Sequence, residues 1–384
     1  MMKNKYVSRT VKILSFIFVV TLFLLFCQGY LFNSFNDCNT RWDSFLLEDE
    51  NTIDVAVIGA SETYNDFAPS IAYDEYGFTS FSLGSPNASC YLIDDHIKEL
   101  LVNQTPELVL VEVNCFLYDK DSELISDANI RAISDNIPLS SRKKDLINSV
   151  PAEDNILSYY FPFIKYHNTH DFGSILLSFS TKMQMQCRGY SLLKGIYTNA
   201  NSHIFSTKST IDVNNDMSLS DLNPIAEEKL YQLLDYCKGL NTKVVFVRFP
   251  HVISSERSYD MFKRCNAVQN IVEDNGFEFI NFDRDCTDLG LNVSDDFYNS
   301  EHMNIYGQQK FSKYFGKLIT DKYSIGKTQL TQEQRLQWEK SSEYTYLFYE
   351  YVEKCMKSNN GTDEWIYETS GVIQELDKLK ASKQ

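Results

Sequence analysis

Five short apolar runs, separated by stretches with helical spacing, constrain this chain more than any other feature. They are Asp54-Val-Ala-Val-Ile58, Phe78 to Leu83, Glu107 to Val113, Lys243 to Arg248 and Phe277 to Phe282. Between them, Ser89 to Asn103 places Leu92, Ile93, Ile97, Leu100 and Leu101 at helical intervals, and Pro224 to Leu240 and Tyr259 to Asn275 read the same way. A final helix after His302 carries Phe311, Tyr314, Phe315, Leu318 and Ile319. Short strands alternating with amphipathic helices predict an α/β fold with a doubly wound, mainly parallel five-stranded sheet.

Three regions fall outside that alternation. Residues 119–223 separate the third and fourth strands, too long for a crossover connection, and read as an inserted cap or lid. Residues 328–384 read as a polar, helical C-terminal extension, with helices over Leu330 to Lys357 and Asp363 to Lys380. The third region is N-terminal. Ile13 to Phe32 contains no charge, and about 20 apolar residues suffice to cross a bilayer as a helix. Lys3, Lys5, Arg9 and Lys12 precede the run, and Asp37, Asp43 and Glu48 follow it. That asymmetry predicts a cytoplasmic tail over 1–12, a single transmembrane anchor over 13–32 and an extracytoplasmic main domain over 52–325. A cleaved signal peptide is the alternative, but bulky Leu24, Leu25 and Phe26 offer no small-x-small cleavage site. Residues 33–52 read as a linker.

The net charge of −16 divides into +4 before the apolar run and −20 after it. Such acidity excludes a phosphate-neutralising nucleic-acid binder and disfavours polybasic docking to anionic lipid heads. It also makes an acidic polymer an awkward substrate and favours a neutral or cationic-substituted acceptor. Eight cysteines beyond Cys27 (Cys38, Cys90, Cys115, Cys187, Cys237, Cys265, Cys286 and Cys355) show neither zinc-ribbon nor CxxC spacing, so they predict no metal site. Cys115 and Cys237, in apolar stretches, read as small buried hydrophobes. No cofactor is predicted.

Ligand sites in open α/β sheets form beyond the carboxyl ends of the strands. After the first strand stands Gly59-Ala60-Ser61-Glu62-Thr63, after the second Gly84-Ser85-Pro86-Asn87, and after the third Asn114-Cys115. The fifth is followed by Phe297-Tyr-Asn-Ser-Glu-His302-Met-Asn-Ile-Tyr-Gly307. A serine, a glycine, an asparagine and a histidine thus share one rim. Serine can attack an acyl carbonyl and histidine can take its proton, while glycine and asparagine donate N–H groups to the oxyanion.

This order resembles the SGNH/GDSL hydrolase superfamily over about residues 52–118 and 224–323. Gly59-Ala60-Ser61, the N-terminal anchor and the insert resemble a branch that includes the membrane-anchored teichoic-acid D-alanylation and alginate O-acetyltransferase accessory proteins. The resemblance implies a flavodoxin-like strand order. It makes Ser61 the nucleophile, His302 the base, and Ser61 N–H, Gly84 and Asn114 the oxyanion donors, with Asn87 competing for the place of Asn114. The family usually has Asp three residues before the histidine, where this chain has Asn299. Asn can still accept from Nδ1–H but supplies no charge, so Asp296 is the preferred substitute carboxylate, ahead of Asp295 and Glu301.

Each residue also has a structural reading. Ser61 could cap a helix, Gly84 could serve a turn, and Asn114 could end a strand. His167 and His170 have metal-compatible spacing without a third ligand, and His251 on the same rim could meet substrate or a loop carbonyl. The aromatic run Tyr159 to Phe163 could stack on sugars or pack within the insert. The reading that results is an anchored serine acyltransferase or esterase acting on acyl esters of cell-envelope glycans. Its partners would be an acyl-donor protein or lipid in the membrane, a cell-surface glycan acceptor and a membrane-bound acyltransferase. A secreted carbohydrate esterase and a catalytically silent glycan-binding scaffold are the alternatives, the second motivated by Asn299.

Overall fold

A computed structural model describes residues 2–31, 36–151, 155–201, 210–284, 289–326, 328–358 and 364–383. Seven strands occur among them: β1 (Val55–Ile58), β2 (Ser80–Ser82), β3 (Leu108–Glu112), β4 (Tyr197–Asn199), β5 (Lys243–Arg248), β6 (Glu278–Asn281) and β7 (Trp365–Tyr367). The five apolar runs of the sequence form one sheet in the order β2-β1-β3-β5-β6, with every neighbouring pair parallel. This is the flavodoxin-type order, whose switch point lies at β1 and β3. Parallel pairing requires crossovers, and crossovers put helices on both faces.

The side chains divide accordingly. Ala56, Ile58, Val109, Val111 and Phe246 face one core, with Ile93, Ile97 and Leu100 and with Leu230, Leu234, Cys265 and Val268 from the helices before and after β5. Val55, Val57, Leu108, Leu110, Val245 and Val247 face the other, against Ala72, Phe311, Phe315 and Ile319. The helix Ile305–Tyr323 begins just after His302, so the aromatic packing of Phe311 and Phe315 against Phe249 and Phe282 fixes the approach of that histidine to the sheet.

Residues 119–223 build short helices and a long one, Phe172–Arg188. Leu124, Ile130, Ile133, Leu146, Ile147 and Tyr159 join the first core directly. Tyr159 is wholly buried, its hydroxyl on Asp127 and its ring under Arg131, whereas Phe161 is exposed. The C-terminal helix Gln332–Ser358, polar by composition, buries one face with Trp338, Thr345, Phe348 and Val352. It packs on the helix Pro69–Tyr76 and donates a hydrogen bond from Tyr349 to Gln308 (2.9 Å). β4 and β7 pair antiparallel away from the main sheet, a ribbon that three-residue strands did not announce.

Two readings of the chain's elements are corrected: the helix expected over Asp363 to Lys380 begins only at Ser370, because Trp365–Tyr367 pairs with β4, and the second lies near the N-terminus. Residues 37–46, read as linker, form a helix with a side-chain capping box at Asn36 and Asn39. Its Cys38, Trp42 and Phe45 are buried in the first core. Cys115 and Cys237 are buried in that core as well. Phe32, Cys286 and Asp363 lie outside the described residues.

The N-terminus is a helix, Met2–Phe26, ending in a π turn over Cys27–Leu31. From Arg9 to Leu31 it is apolar and long enough to cross a membrane. Its last turns pack on the helix Phe172–Arg188, with Phe26 and Tyr30 both meeting the ring of Phe179. Tyr30 also donates to Gln186 (2.8 Å).

Candidate active site

β1 runs through Gly59 and Ala60 into Ser61, which opens the one-turn helix Glu62–Asn65. Gly59 lets this turn lie against the end of β3, because a Cβ there would stand 2.5 Å from Cβ of Glu112. A serine at a helix start ordinarily caps it, but Ser61 makes no capping hydrogen bond. Its Oγ instead lies 2.8 Å from Nε2 of His302.

His302 belongs to a tight loop closed by an antiparallel bridge between Phe297 and Met303. Within it, Oδ1 of Asn299 accepts from the backbone N–H groups of Glu301 and His302, both at 2.8 Å. Those two donors settle which end of the amide faces inward. Oδ1 therefore also meets His302 Nδ1, at 3.2 Å. Nδ1 then carries the hydrogen, and the Nε2 lone pair points at the serine hydroxyl. This is the tautomer that a general base requires. Beyond the loop, Met303 N–H donates to Asp66 (2.8 Å), and Asn304 caps the next helix through Tyr306 N–H and Gly307 N–H.

Asp296 does not take the place of the missing acid. It is wholly buried, accepts from Asn292 N–H (2.7 Å) and pairs with Lys310 (2.8 Å), so its carboxylate is engaged away from the imidazole. Asn87 is also displaced from the role considered for it. It is exposed, with φ of 45°, and lines a separate recess of about 410 Å³ with Tyr118, Asn129 and Arg257. Asn114 is buried beside the Ser61 turn, where its Nδ2 donates to Glu62 (2.6 Å) and its Oδ1 accepts from Arg248 (2.6 Å).

Gly84 is buried next to that turn. A Cβ there would meet Thr63 Oγ1 at 2.0 Å and Ala60 O at 2.7 Å. Its carbonyl accepts from Arg41 (3.1 Å), whose guanidinium is sandwiched against the Tyr64 ring, 3.4 Å from the centroid. Among the described residues, neither Ser61 N–H nor Gly84 N–H has a protein acceptor. Gly84→Ala should destabilise the protein by about 1–3 kcal/mol, the usual cost of overpacking. A denaturant midpoint lower than that of wild type checks this.

Beneath the pair lies a buried charged network that the motif reading did not foresee. Glu62 accepts from Asn114 and from His251 Nε2 (3.3 Å), and its other oxygen is 3.5 Å from Ser61 Oγ. His251 Nδ1 faces Asp283 (3.2 Å) and the Phe249 carbonyl (2.6 Å), and Asp283 pairs with Arg248 (3.0 Å). Burial and the Arg248 charge push His251 down, but the Asp283 and Glu62 carboxylates outweigh them and raise it to about 10. Burial would push Glu62 up, yet the His251 contact and the charges of His302 and Arg248 hold it well below the ordinary carboxylate range. Glu112, which accepts from Asn114 N–H, is pushed up by burial and by the charge on Glu62. The network is therefore close to neutral, with an ionised Glu62 at its upper end. Burial lowers the pKa of His302, and Glu62 is the foremost charge opposing that shift.

His167 and His170 lie apart from this cluster. His167 Nδ1 meets the carbonyls of Phe163 and Ile164, and His170 stacks on Tyr166. Of the rim residues, the structure brings together Ser61, His302, Asn299, Asn114, Gly84 and His251, the last against the loop carbonyl of Phe249, and it adds Glu62, Arg248, Asp283 and Arg41.

No protein-family model and no curated protein matches the chain. Solved structures share part of the fold at low similarity. One is a gut microbial diltiazem-metabolizing enzyme, 10 % identical, with a TM-score of 0.36 over 72 % of this chain and 48 % of that one. Another is an active-site mutant of a family two carbohydrate esterase from Clostridium thermocellum, also 10 % identical, with a TM-score of 0.31 over 72 % and 66 % of the two chains. This chain thus spans about half of the first and about two thirds of the second.

Proposed function

We propose that this protein is a membrane-anchored serine hydrolase or O-acyltransferase of SGNH type, acting outside the cytoplasm on acyl esters of cell-envelope glycans. The observation that carries the reading is the line Ser61 Oγ, His302 Nε2, His302 Nδ1, Asn299 Oδ1, with the amide oriented by two backbone donors. Ser61 Oγ attacks the acyl carbonyl carbon as its proton passes to His302 Nε2. The tetrahedral oxyanion accepts from the N–H groups of Ser61 and Gly84, with the second Nδ2 hydrogen of Asn114 as a third donor. Collapse expels the alcohol of the donor, which takes the proton from Nε2, and leaves an acyl ester on Ser61. A sugar hydroxyl or water then loses its proton to His302 and attacks that ester, which restores the serine.

The packing of Phe26 and Tyr30 on Phe179 supports an anchor retained with the mature protein, since a cleaved leader would forfeit those contacts. An acidic exterior favours a neutral or cationic-substituted glycan as acceptor, and an anchor favours an acyl donor at the membrane, whether lipid-borne or presented by an integral acyltransferase.

A fluorophosphonate should label the full-length protein at one site, and digestion with mass mapping should locate the adduct on Ser61. Labelling elsewhere, or none, overturns the reading. The rate of labelling should also report His302. Its lowered pKa keeps the imidazole neutral at pH 7, and a protonated ring cannot act as base. The rate should therefore fall only on the acid side, with a midpoint below about 6.5, the ordinary histidine value.

A further inference from the structure

The helix Phe172–Arg188 is divided along its length. From Phe172 to Thr181 it carries no charge, and Phe172 and Leu176 are 79 % and 54 % exposed, with Leu177 also exposed. From Lys182 onward it carries Lys182 and Arg188, and its exposed positions are Gln184, Gln186 and Cys187. Exposed apolar side chains of this size in one half of a helix require a cover.

The direction of the helix identifies that cover. Gln186 meets Tyr30, and Phe179 meets both Tyr30 and Phe26. Moving from Tyr30 to Phe26 leads down the apolar N-terminal helix toward its membrane-crossing length, and the same direction on the partner leads from Gln186 through Phe179 to Phe172. The uncharged half thus extends seven residues, about 10 Å, beyond the Phe179 contact on the side of the apolar run. Lys182 stands over the Tyr30 ring at 5.4 Å and pairs with Asp43, which places a cation and an aromatic hydroxyl together where the polarity changes. Tyr and Lys at that level are typical of a membrane–water interface. The segment just before the helix adds exposed Ile156, Leu157, Phe161 and Ile164.

We infer that the first half of helix Phe172–Arg188, with the apolar side chains of 156–164, rests in the outer leaflet beside the anchor. This rests on the reading of the N-terminal helix as a retained anchor. The chain would then be held by a crossing helix and by an interfacial one, which limits the rotation of the main domain about the anchor.

The test uses the full chain in vesicles of phosphatidylglycerol and phosphatidylethanolamine, with and without a phosphatidylcholine that bears a nitroxide near the headgroup end of its acyl chain. Phe172→Trp, Leu176→Trp, Gln184→Trp and, within the anchor, Phe23→Trp are compared by the emission each adds to the unsubstituted protein. The expected result is loss of the added emission at Phe172→Trp and Leu176→Trp to about the extent seen at Phe23→Trp, with little loss at Gln184→Trp. If Phe23→Trp is quenched and the two helix positions behave like Gln184→Trp, the anchor stands and the inference is overturned. A second copy or an integral protein partner covering this face gives that same unquenched pattern. If Phe23→Trp also escapes quenching, the anchor and the inference fall together.

Discussion

Ser61→Ala and His302→Ala should each lower kcat for acetyl-ester hydrolysis by about 10⁴-fold or more, and the double variant should be no slower than either single one. In the proposed mechanism the nucleophile and its base act as a unit. Once either is gone, the residual rate comes from the oxyanion donors and from binding, which the second substitution does not touch. Neither change should disturb the fold. Ser61 Oγ caps no helix, and Asn299 keeps both of its backbone donors when the ring is removed. Initial rates on an aryl acetate, with thermal midpoints alongside, measure this. Losses that multiply in the double variant would mean that the two side chains act independently, and the proposed mechanism would fail.

The sheet was legible chiefly from β1, β3 and β5, whose buried cores read as nearly continuous apolar runs, and Lys243–Arg248 was read to the residue. The helix at 37–46 was missed because it is short and mixed in polarity, although Cys38, Trp42 and Phe45 are spaced for one buried face. That omission hid Arg41, which holds the Gly84 carbonyl from a part of the chain read as linker.

The site was legible only where a motif marked it. Ser61 and His302 came from their places on the rim, but Asp296 was preferred only because the adjacent Glu301 would tend to point elsewhere, and sequence spacing does not fix the direction of a carboxylate. A signal for the network was present. β3 and β5 are buried runs that end in Glu112 and Arg248. A charge that ends a fully buried strand must find a partner, because leaving it unpaired is far too costly. Those two residues therefore announced a charged cluster at the carboxyl edge. Which residues complete it depends on loops after β1, β5 and β6, and no local pattern encodes how those loops meet.

Glu62→Gln should lower kcat by about 10²-fold, and Asn299→Asp should restore most of that loss in the same chain while changing the wild type little. The reason is where negative charge stands relative to the imidazolium that the proposed acyl transfer would form. In the serine-hydrolase template a carboxylate on Nδ1 stabilises that cation, and its replacement by an amide costs about 10⁴-fold, partly by favouring the wrong tautomer. Here Asn299 holds the right tautomer but brings no charge, and the ionised Glu62 is the foremost charge favouring the protonated ring. Glu62 touches Ser61 rather than the ring, so it acts across a longer path than a triad acid and its loss should cost less. A glutamine keeps the shape and can still accept from Asn114 and His251. A second reading separates charge from packing. Without Glu62 the His302 cation is less favoured, so its pKa falls further and the acid limb of kcat/KM moves to lower pH, while Asn299→Asp moves it back up. A purely structural role for Glu62 would lower the rate without moving that limb, and Asn299→Asp would not rescue it. Either of those results would show that this site works without a carboxylate behind its base.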